Sequence, residues 1–132
     1  MKLTVIGCGR WGTFLAWYLD RLGHAVTLYG RESSTRMQRL IETRSNDLLT
    51  LPESVCLTMS LAEAATPETI IISIASQNLQ ALMDQLAGEN LRDKTIVLCM
   101  KGLEAETGRR LSEIVRSTLD ASNRVAVWLG PG

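Results

Sequence analysis

Three glycines near the amino terminus have the spacing of a phosphate-binding turn. Gly7, Gly9 and Gly12 form the pattern G-x-G-x-x-G between an apolar run, Lys2–Ile6, and an amphipathic segment. In such a turn the first glycine permits the tight bend, the second lets a pyrophosphate approach the backbone, and the third allows close helix–strand packing. Free backbone amides at the helix start then bind the phosphate oxygens. Because a strand pattern precedes the glycines and a helix pattern follows them, the spacing predicts a dinucleotide site.

The residues after the second predicted strand bear on which dinucleotide is bound. NAD-specific turns place Asp or Glu there, roughly 20 residues beyond the glycines, to bind the ribose 2′-hydroxyl. This chain has Tyr29, Gly30 and Arg31 instead, followed by Glu32. An arginine can bind a 2′-phosphate through two parallel hydrogen bonds. Arg31 therefore favours NADP(H), or the use of both NADP and NAD, while Glu32 weakens that preference.

Short β-rich runs alternate with helical patterns along the whole chain. This alternation predicts a parallel sheet with helices on both faces. Six strands in this rhythm are typical of the doubly wound Rossmann-type fold, in which the ligand lies at the carboxyl ends of the strands. The predicted class is therefore α/β, with residues 1–132 as a single dinucleotide-binding domain. The predicted strands are 2–6, 25–29, 55–58, 69–74, 95–100 and 124–129, and the predicted helices are 10–22, 33–44, a turn at 60–65, a stripe through Leu79, Leu82, Met83 and Leu86, and 107–119.

The composition argues against several classes of protein and site. Lys plus Arg total 14 and Asp plus Glu total 14, so no net charge attracts the chain to nucleic acid. No apolar run is long enough to cross a bilayer, and the first residues lack a signal-peptide pattern. A single histidine and three dispersed cysteines fit neither a zinc site nor a disulfide framework. We therefore expect a soluble, cytoplasmic protein without a metal, a nucleic-acid partner or membrane insertion.

The glycine turn and the segments around the last two predicted strands carry a more specific pattern. The turn reads IGCGRWGTFLA, the fifth strand continues as KTIVLCMKGLEAETGRRLSEIV, and the chain ends in VWLGPG. These segments resemble NAD(P)-dependent glycerol-3-phosphate dehydrogenase, and the likeness extends along the whole chain. The K-G-L-E and G-P elements are far more specific than the glycine turn. The resemblance implies the cofactor-binding domain of an enzyme that reduces dihydroxyacetone phosphate to sn-glycerol 3-phosphate for phospholipid synthesis.

The resemblance also implies roles for individual residues. Lys101 matches a family lysine that contacts both the cofactor region and the substrate. Such a lysine is suited to neutralise a phosphate or to polarise a carbonyl oxygen. The implied cofactor contacts are Gly7, Gly9, Arg10, Trp11, Gly12, Arg31 and Lys101, and the implied substrate contacts are Lys101, Gly130 and Gly132.

The chain also departs from the family's pattern. Arg10 replaces a usually small residue, Ala75 stands where proline is common, and Gly132 stands where serine is common. Family members continue into a helical domain that carries the principal catalytic lysine and further phosphate-binding residues, and we expect that domain to be absent here. Because hydride transfer needs positioned acid and electrophilic groups, we expect this chain alone to bind nucleotide and to be inactive or nearly so.

Two other functions fit the glycine turn. One is the cofactor domain of a related reductase such as ketopantoate reductase, against which the K-G-L-E and G-P-G elements count. The other is a stand-alone nucleotide-sensing regulatory domain, which usually keeps an acidic residue after the second strand. Without a helical domain, an apolar face near the last strand is expected to be exposed. Self-association that rests on this face would be an artefact of truncation. The expected partners are dihydroxyacetone phosphate and sn-glycerol 3-phosphate as substrates of the whole enzyme, and a homodimer is a further expectation.

Overall fold

The computed structural model describes residues 1–100 and 103–128 and forms a single sheet with helices on both of its faces. The strands in these ranges are β1 (Lys2–Ile6), β2 (Ala25–Tyr29), β3 (Cys56–Thr58), β4 (Thr69–Ile72), β5 (Thr95–Leu98) and β6 (Arg124–Val127). The helices are α1 (Arg10–Arg21), α2 (Thr35–Thr43), α3 (Leu61–Ala64), α4 (Leu79–Ala87) and α5 (Ala105–Thr118), and a 3₁₀ turn (Ser76–Asn78) precedes α4. The predicted α/β class is confirmed.

The order of the strands places a crevice beside β1. The sheet runs β3-β2-β1-β4-β5-β6, and every pair of neighbouring strands is parallel. The chain therefore extends from β1 towards β3 and then crosses back to begin β4 on the other side of β1. In doubly wound sheets, ligands bind at such a reversal, outside the carboxyl ends of the strands.

Each face of the sheet has its own hydrophobic core. Leu15 of α1 and Met37 of α2 pack with Val5 on one face, and Met83 of α4 packs with Ile6 on the other. Consecutive residues of β1 serve opposite cores because side chains alternate along a strand. All five side chains are at most 2% exposed. Burial of each contributes about 1.5–3 kcal/mol, so the central strands are held from both sides.

The predicted elements are present, but several strands end earlier than predicted. β4 ends at Ile72 and β5 at Leu98, two residues before the predicted ends in each case. The ladder continues for one bond beyond each strand, from the Ser73 amide to Ile6 and from the Cys99 amide to Ile72. The chain then turns to line a cleft. At the start of α2, the Ser34 hydroxyl accepts a hydrogen bond from the Met37 amide, so the helix begins at Thr35 and not at 33.

The irregular segment between α2 and β3 is anchored by one arginine. Arg44 ends α2 in the left-handed conformation, with φ of 56°. Its guanidinium donates hydrogen bonds to the carbonyl oxygens of Leu51 (3.4 Å), Pro52 (2.7 Å) and Val55. These three carbonyl groups belong to buried or half-buried residues that lie outside the helices and strands, so Arg44 provides hydrogen bonds that regular secondary structure does not. These hydrogen bonds also hold the loop that carries Asp47.

Candidate nucleotide-binding cleft

A cleft of about 460 Å³ lies at the carboxyl ends of β1, β2 and β4. Its walls come from the glycine turn after β1, residues 30–36 after β2, and residues 73–75 after β4. This is the strand-order reversal at which doubly wound sheets bind ligands. The structure brings together the predicted cofactor contacts Gly7, Gly9, Arg10, Trp11, Gly12 and Arg31. The predicted contacts Lys101, Gly130 and Gly132 lie outside the described residues.

Two glycines of the turn have no room for a side chain. Gly7 has φ of +122°, and a Cβ on it would collide with the carbonyl group of Ser73. A Cβ on Gly12 would collide with the carbonyl oxygen of Gly7. The first glycine therefore permits the turn beside β4, and the third lets α1 start directly above the turn. Both roles are those that the spacing predicted.

The second glycine is open towards the cleft. Among the described residues, the atom that lies within 4 Å of the position of a Cβ on Gly9 is Nη1 of Arg36, at 3.2 Å. Gly9 is the N-cap of α1 and provides no side chain to bind the first amides of that helix. The first turn of α1 also contains no acidic residue. Free amides and the positive end of the helix dipole therefore face a space that suits a pyrophosphate group.

Close packing after β2 explains why no acidic residue follows that strand directly. A Cβ on Gly30 would lie 2.6 Å from the sulfur atom of Met37, which is fully buried. An aspartate or glutamate at position 30 would therefore require α2 to move away from the sheet. The next residue, Arg31, is exposed and lines the cleft. Burial raises the pKa of the Tyr29 hydroxyl, and the positive charge of Arg31 partly offsets that rise.

Arg10 lies at the mouth of the cleft in a network of surface charges. Its Nη2 is 3.5 Å from Oδ2 of Asp47, whose Oδ1 accepts a hydrogen bond of 3.0 Å from Arg39. The hydrogen bond and charge of Arg39, followed by the charge of Arg10, lower the pKa of the Asp47 carboxyl. All three side chains are more than half exposed, so these pairs contribute little to stability. They orient Arg10 beside the cleft.

Trp11 forms part of the apolar wall of the cleft, and its indole N–H is hydrogen-bonded within the protein. Its indole Nε1 donates a hydrogen bond to Sγ of Cys99 at 3.3 Å, while 37% of the residue's surface is exposed. Burial raises the pKa of the Cys99 thiol, and the hydrogen bond from Trp11 partly offsets that rise. On the facing wall, Ala75 has φ of −65°, the value that proline imposes. The backbone there therefore suits the proline common in the resembled family as well as the alanine present.

Sequence reasoning missed two residues that the fold brings to the cleft. Ser34, the N-cap of α2, lines the cleft with its hydroxyl 3.5 Å from Sγ of Cys8. Arg36, in the first turn of α2, lines it as well. The serines at the predicted helix start were one available signal for Ser34. No spacing relates Arg36 to the glycines, because its approach depends on how α2 packs.

The remaining chemistry of the described chain is limited. Cys8, Cys56 and Cys99 are free thiols. Within residues 1–100 and 103–128, no group of three or more His, Cys, Asp or Glu side chains is arranged to hold a metal ion. Among the helices in those same ranges, none has both the length and the apolar character needed to cross a membrane.

Comparison with known proteins decides the family. A model for the N-terminus of NAD-dependent glycerol-3-phosphate dehydrogenase matches residues 2–132. The chain belongs to this family. The resemblance noted from the glycine turn and the K-G-L-E and G-P elements is thereby confirmed. A cofactor domain of a glycerol-3-phosphate dehydrogenase is favoured over a ketopantoate reductase domain and over a nucleotide-sensing domain.

Curated relatives support the same glycerol-3-phosphate dehydrogenase family. The enzyme named glycerol-3-phosphate dehydrogenase (NAD(P)+) from Thermoanaerobacter sp. strain X514 is 33% identical over 135 residues, covering 99% of this chain and 40% of the relative. The enzyme of that name from Prosthecochloris aestuarii is 36% identical over 138 residues, covering 99% and 41%. That from Pectobacterium atrosepticum is 37% identical over 135 residues, covering 98% and 40%. The chain thus spans about 40% of the length of these relatives.

Solved structures show the same fold. Glycerol-3-phosphate dehydrogenase from Coxiella burnetii superposes with a TM-score of 0.83 at 25% identity, covering 98% of this chain and 41% of that one. A ketopantoate reductase from Ralstonia eutropha JMP134 superposes with a TM-score of 0.74 at 18% identity, covering 96% and 40%. The second likeness shows the fold alone. It explains why the fold by itself does not separate the two kinds of reductase.

Proposed function

We propose that this chain is the NAD(P)-binding domain of a cytoplasmic glycerol-3-phosphate dehydrogenase that converts dihydroxyacetone phosphate to sn-glycerol 3-phosphate for glycerophospholipid synthesis. The observation that carries the proposal is the glycine cradle. Gly7 and Gly12 exclude side chains, and Gly9 opens the start of α1 to the cleft. The family match and the names of the relatives support the substrate pair and the reaction.

The cleft is suited to a dinucleotide and favours one that carries a 2′-phosphate. Its described walls include the arginines Arg10, Arg31 and Arg36 and no Asp or Glu. This balance makes the cleft positive, which attracts a polyanionic ligand. The first amides of α1 would bind the pyrophosphate, and Arg31 would bind a 2′-phosphate, so NADPH is preferred and NADH is also accepted. When bound, a reduced nicotinamide ring would supply the hydride for reduction of the carbonyl group.

We propose that catalysis also requires residues outside the ranges 1–100 and 103–128 that the structure describes. Among the described residues that line the cleft there is no His, Lys, Asp or Glu to act as an acid or an electrophile. Lys101, Gly130 and Gly132 are proposed substrate contacts from the family resemblance, and Lys101 directly follows Met100, which lines the cleft. Because the 132-residue chain spans about 40% of the length of its relatives, we expect it alone to bind nucleotide without reducing dihydroxyacetone phosphate. Turnover on the order of 10 s⁻¹, typical of enzymes, would contradict this part of the proposal.

A calorimetric titration of the chain with NADPH and NADH tests cofactor binding. We expect both to bind, NADPH more tightly, and the Arg31→Ala variant to lose about 10-fold in NADPH affinity because a charged hydrogen-bond donor is removed. NADH affinity should change much less. Arg110→Ala, an exposed arginine on α5, is the matched control and should change neither. If neither cofactor binds the folded wild type, the proposed function is wrong.

We also propose self-association of the chain, as a homodimer. Trp128, which follows β6, is 44% exposed, and Phe14 and Tyr18 of α1 are 36% and 43% exposed. The ring centroid of Phe14 lies 5.6 Å from that of Trp11 and 6.0 Å from that of Tyr18, so α1 presents a contiguous aromatic patch of the kind that marks contact surfaces. Sedimentation equilibrium over a range of concentrations tests this, and a mass that stays that of the monomer would contradict it.

A further inference from the structure

The side chain of Arg36 lies over the second glycine of the phosphate-binding turn. Its Nη1 is 3.2 Å from the position that a Cβ on Gly9 would occupy, and it lines the same cleft. Within residues 1–100 and 103–128, no other side chain comes as close to that position. In this fold, the second glycine is the point at which a pyrophosphate approaches the backbone. The guanidinium therefore lies where phosphate oxygens are expected.

Arg36 forms no ion pair with a carboxylate in the described part of the chain. The ion pairs there join Arg10 and Arg39 to Asp47, Arg92 to Asp120, and Arg124 to Glu68. Arg39 follows Arg36 by one turn of α2, is not among the residues that line the cleft, and donates its hydrogen bond to Asp47. Of these two arginines on one helix, Arg39 is paired with a carboxylate, whereas Arg36 lines the cleft and has no carboxylate partner among the described residues.

The packing of α2 holds the backbone of Arg36 in this place. The helix begins at Ser34, whose hydroxyl accepts a hydrogen bond of 3.2 Å from the Met37 amide and lies 3.5 Å from Sγ of Cys8 in the glycine turn. Met37 is fully buried against Gly30. The first turn of α2 is thus tied to both the sheet and the turn. The approach of Arg36 to Gly9 follows from this packing.

We propose that Arg36 binds the pyrophosphate of the cofactor, while Arg31 binds the 2′-phosphate. This inference rests on the proposed function. A guanidinium can bind two phosphate oxygens through parallel hydrogen bonds. The pyrophosphate is common to NADH and NADPH, whereas only NADPH carries the 2′-phosphate. Arg36 therefore contributes to the affinity for both cofactors, and Arg31 sets the preference between them.

Calorimetric titrations of the full chain with NADH and NADPH test whether Arg36 binds the pyrophosphate and Arg31 the 2′-phosphate. Arg36→Ala should weaken both cofactors alike, by about 10-fold, because one charged donor to the shared pyrophosphate is lost. Arg36→Lys should bind both with intermediate affinity, since it keeps the charge and loses the paired donors. Arg110→Ala, at an exposed position of α5 outside the cleft lining, is the matched control and should bind both as tightly as the wild type. Circular dichroism of each variant verifies that it is folded.

The outcomes separate this inference from the proposed function. Unchanged affinity of folded Arg36→Ala for both cofactors, with the wild type binding normally, would overturn the role of Arg36 alone. A loss confined to NADPH would also overturn it, because Arg36 would then contact the 2′-phosphate. If the folded wild type binds neither cofactor, the proposed function is wrong, and the inference is overturned with it.

Discussion

Replacing Gly12 by alanine separates two opposing effects at the start of α1. Gly12 is buried in the first turn of this helix, and a Cβ there would collide with the carbonyl oxygen of Gly7. Alanine is favoured over glycine within a helix by roughly 0.5–1 kcal/mol. Overpacking typically costs about 1–3 kcal/mol. Whether the free energy of unfolding rises or falls depends on whether the carbonyl group of Gly7 can move.

The structure indicates that the carbonyl group of Gly7 cannot move without displacing the glycine turn. The Gly7 amide donates a hydrogen bond of 3.0 Å to the Tyr29 carbonyl, and its Cα lies against the carbonyl group of Ser73. The cost should therefore lie near the upper end of the overpacking range. Subtracting the gain in helix propensity leaves a net loss of about 2 kcal/mol in the free energy of unfolding. For a domain of this size, that loss lowers the melting temperature by about 6–10 °C.

Urea unfolding followed by tryptophan fluorescence measures this loss, with a calorimetric titration of NADPH in parallel. NADPH should bind at least about 10-fold more weakly, since a shift of α1 misaligns the amides that would contact phosphate. Gly88→Ala is the matched control, because Gly88 has φ of −69° and its added Cβ would meet only the Gln85 carbonyl oxygen, at 3.3 Å. Its stability should change by less than about 0.5 kcal/mol. A Gly12→Ala variant as stable as the wild type would refute the packing argument.

Two further substitutions test single hydrogen-bonding side chains. Thr4 is fully buried and donates a hydrogen bond of 2.6 Å to the Ala64 carbonyl, so Thr4→Val should lower the free energy of unfolding by about 1–2 kcal/mol. Thr27→Val, at the paired position of β2, should change it by less than about 0.5 kcal/mol, and equal effects would contradict this reasoning. Arg44→Ala should cost about 2 kcal/mol and speed proteolysis within residues 45–54, with Arg44→Lys retaining part of the stability. Unchanged proteolysis of Arg44→Ala would show that the loop has another anchor.

The sequence by itself determined the class of fold and the centre of the site. Apolar periodicity is a local property, since it reflects which faces of a strand or helix are buried, and it predicted every described strand to within two residues at its ends. The role of Gly12 is likewise local, because its added Cβ would collide with the carbonyl oxygen of Gly7 in the same turn, whereas Gly7 is also constrained by the carbonyl group of Ser73 after β4. The roles of Lys101, Gly130 and Gly132 rest on resemblance and stay predictions.

The tertiary structure decided which charged side chains reach the cleft. Arg36 approaches Gly9, and Asp47 pairs with Arg10, only because α2 and the loop after it pack beside the glycine turn. The same packing leaves no room for a side chain at Gly30, where an acidic residue would ordinarily indicate NAD. Contacts of this kind join residues that are distant in sequence and depend on the distance between a helix and the sheet. No spacing or periodicity encodes that distance, which is why Arg36 could be recognised only in the folded chain.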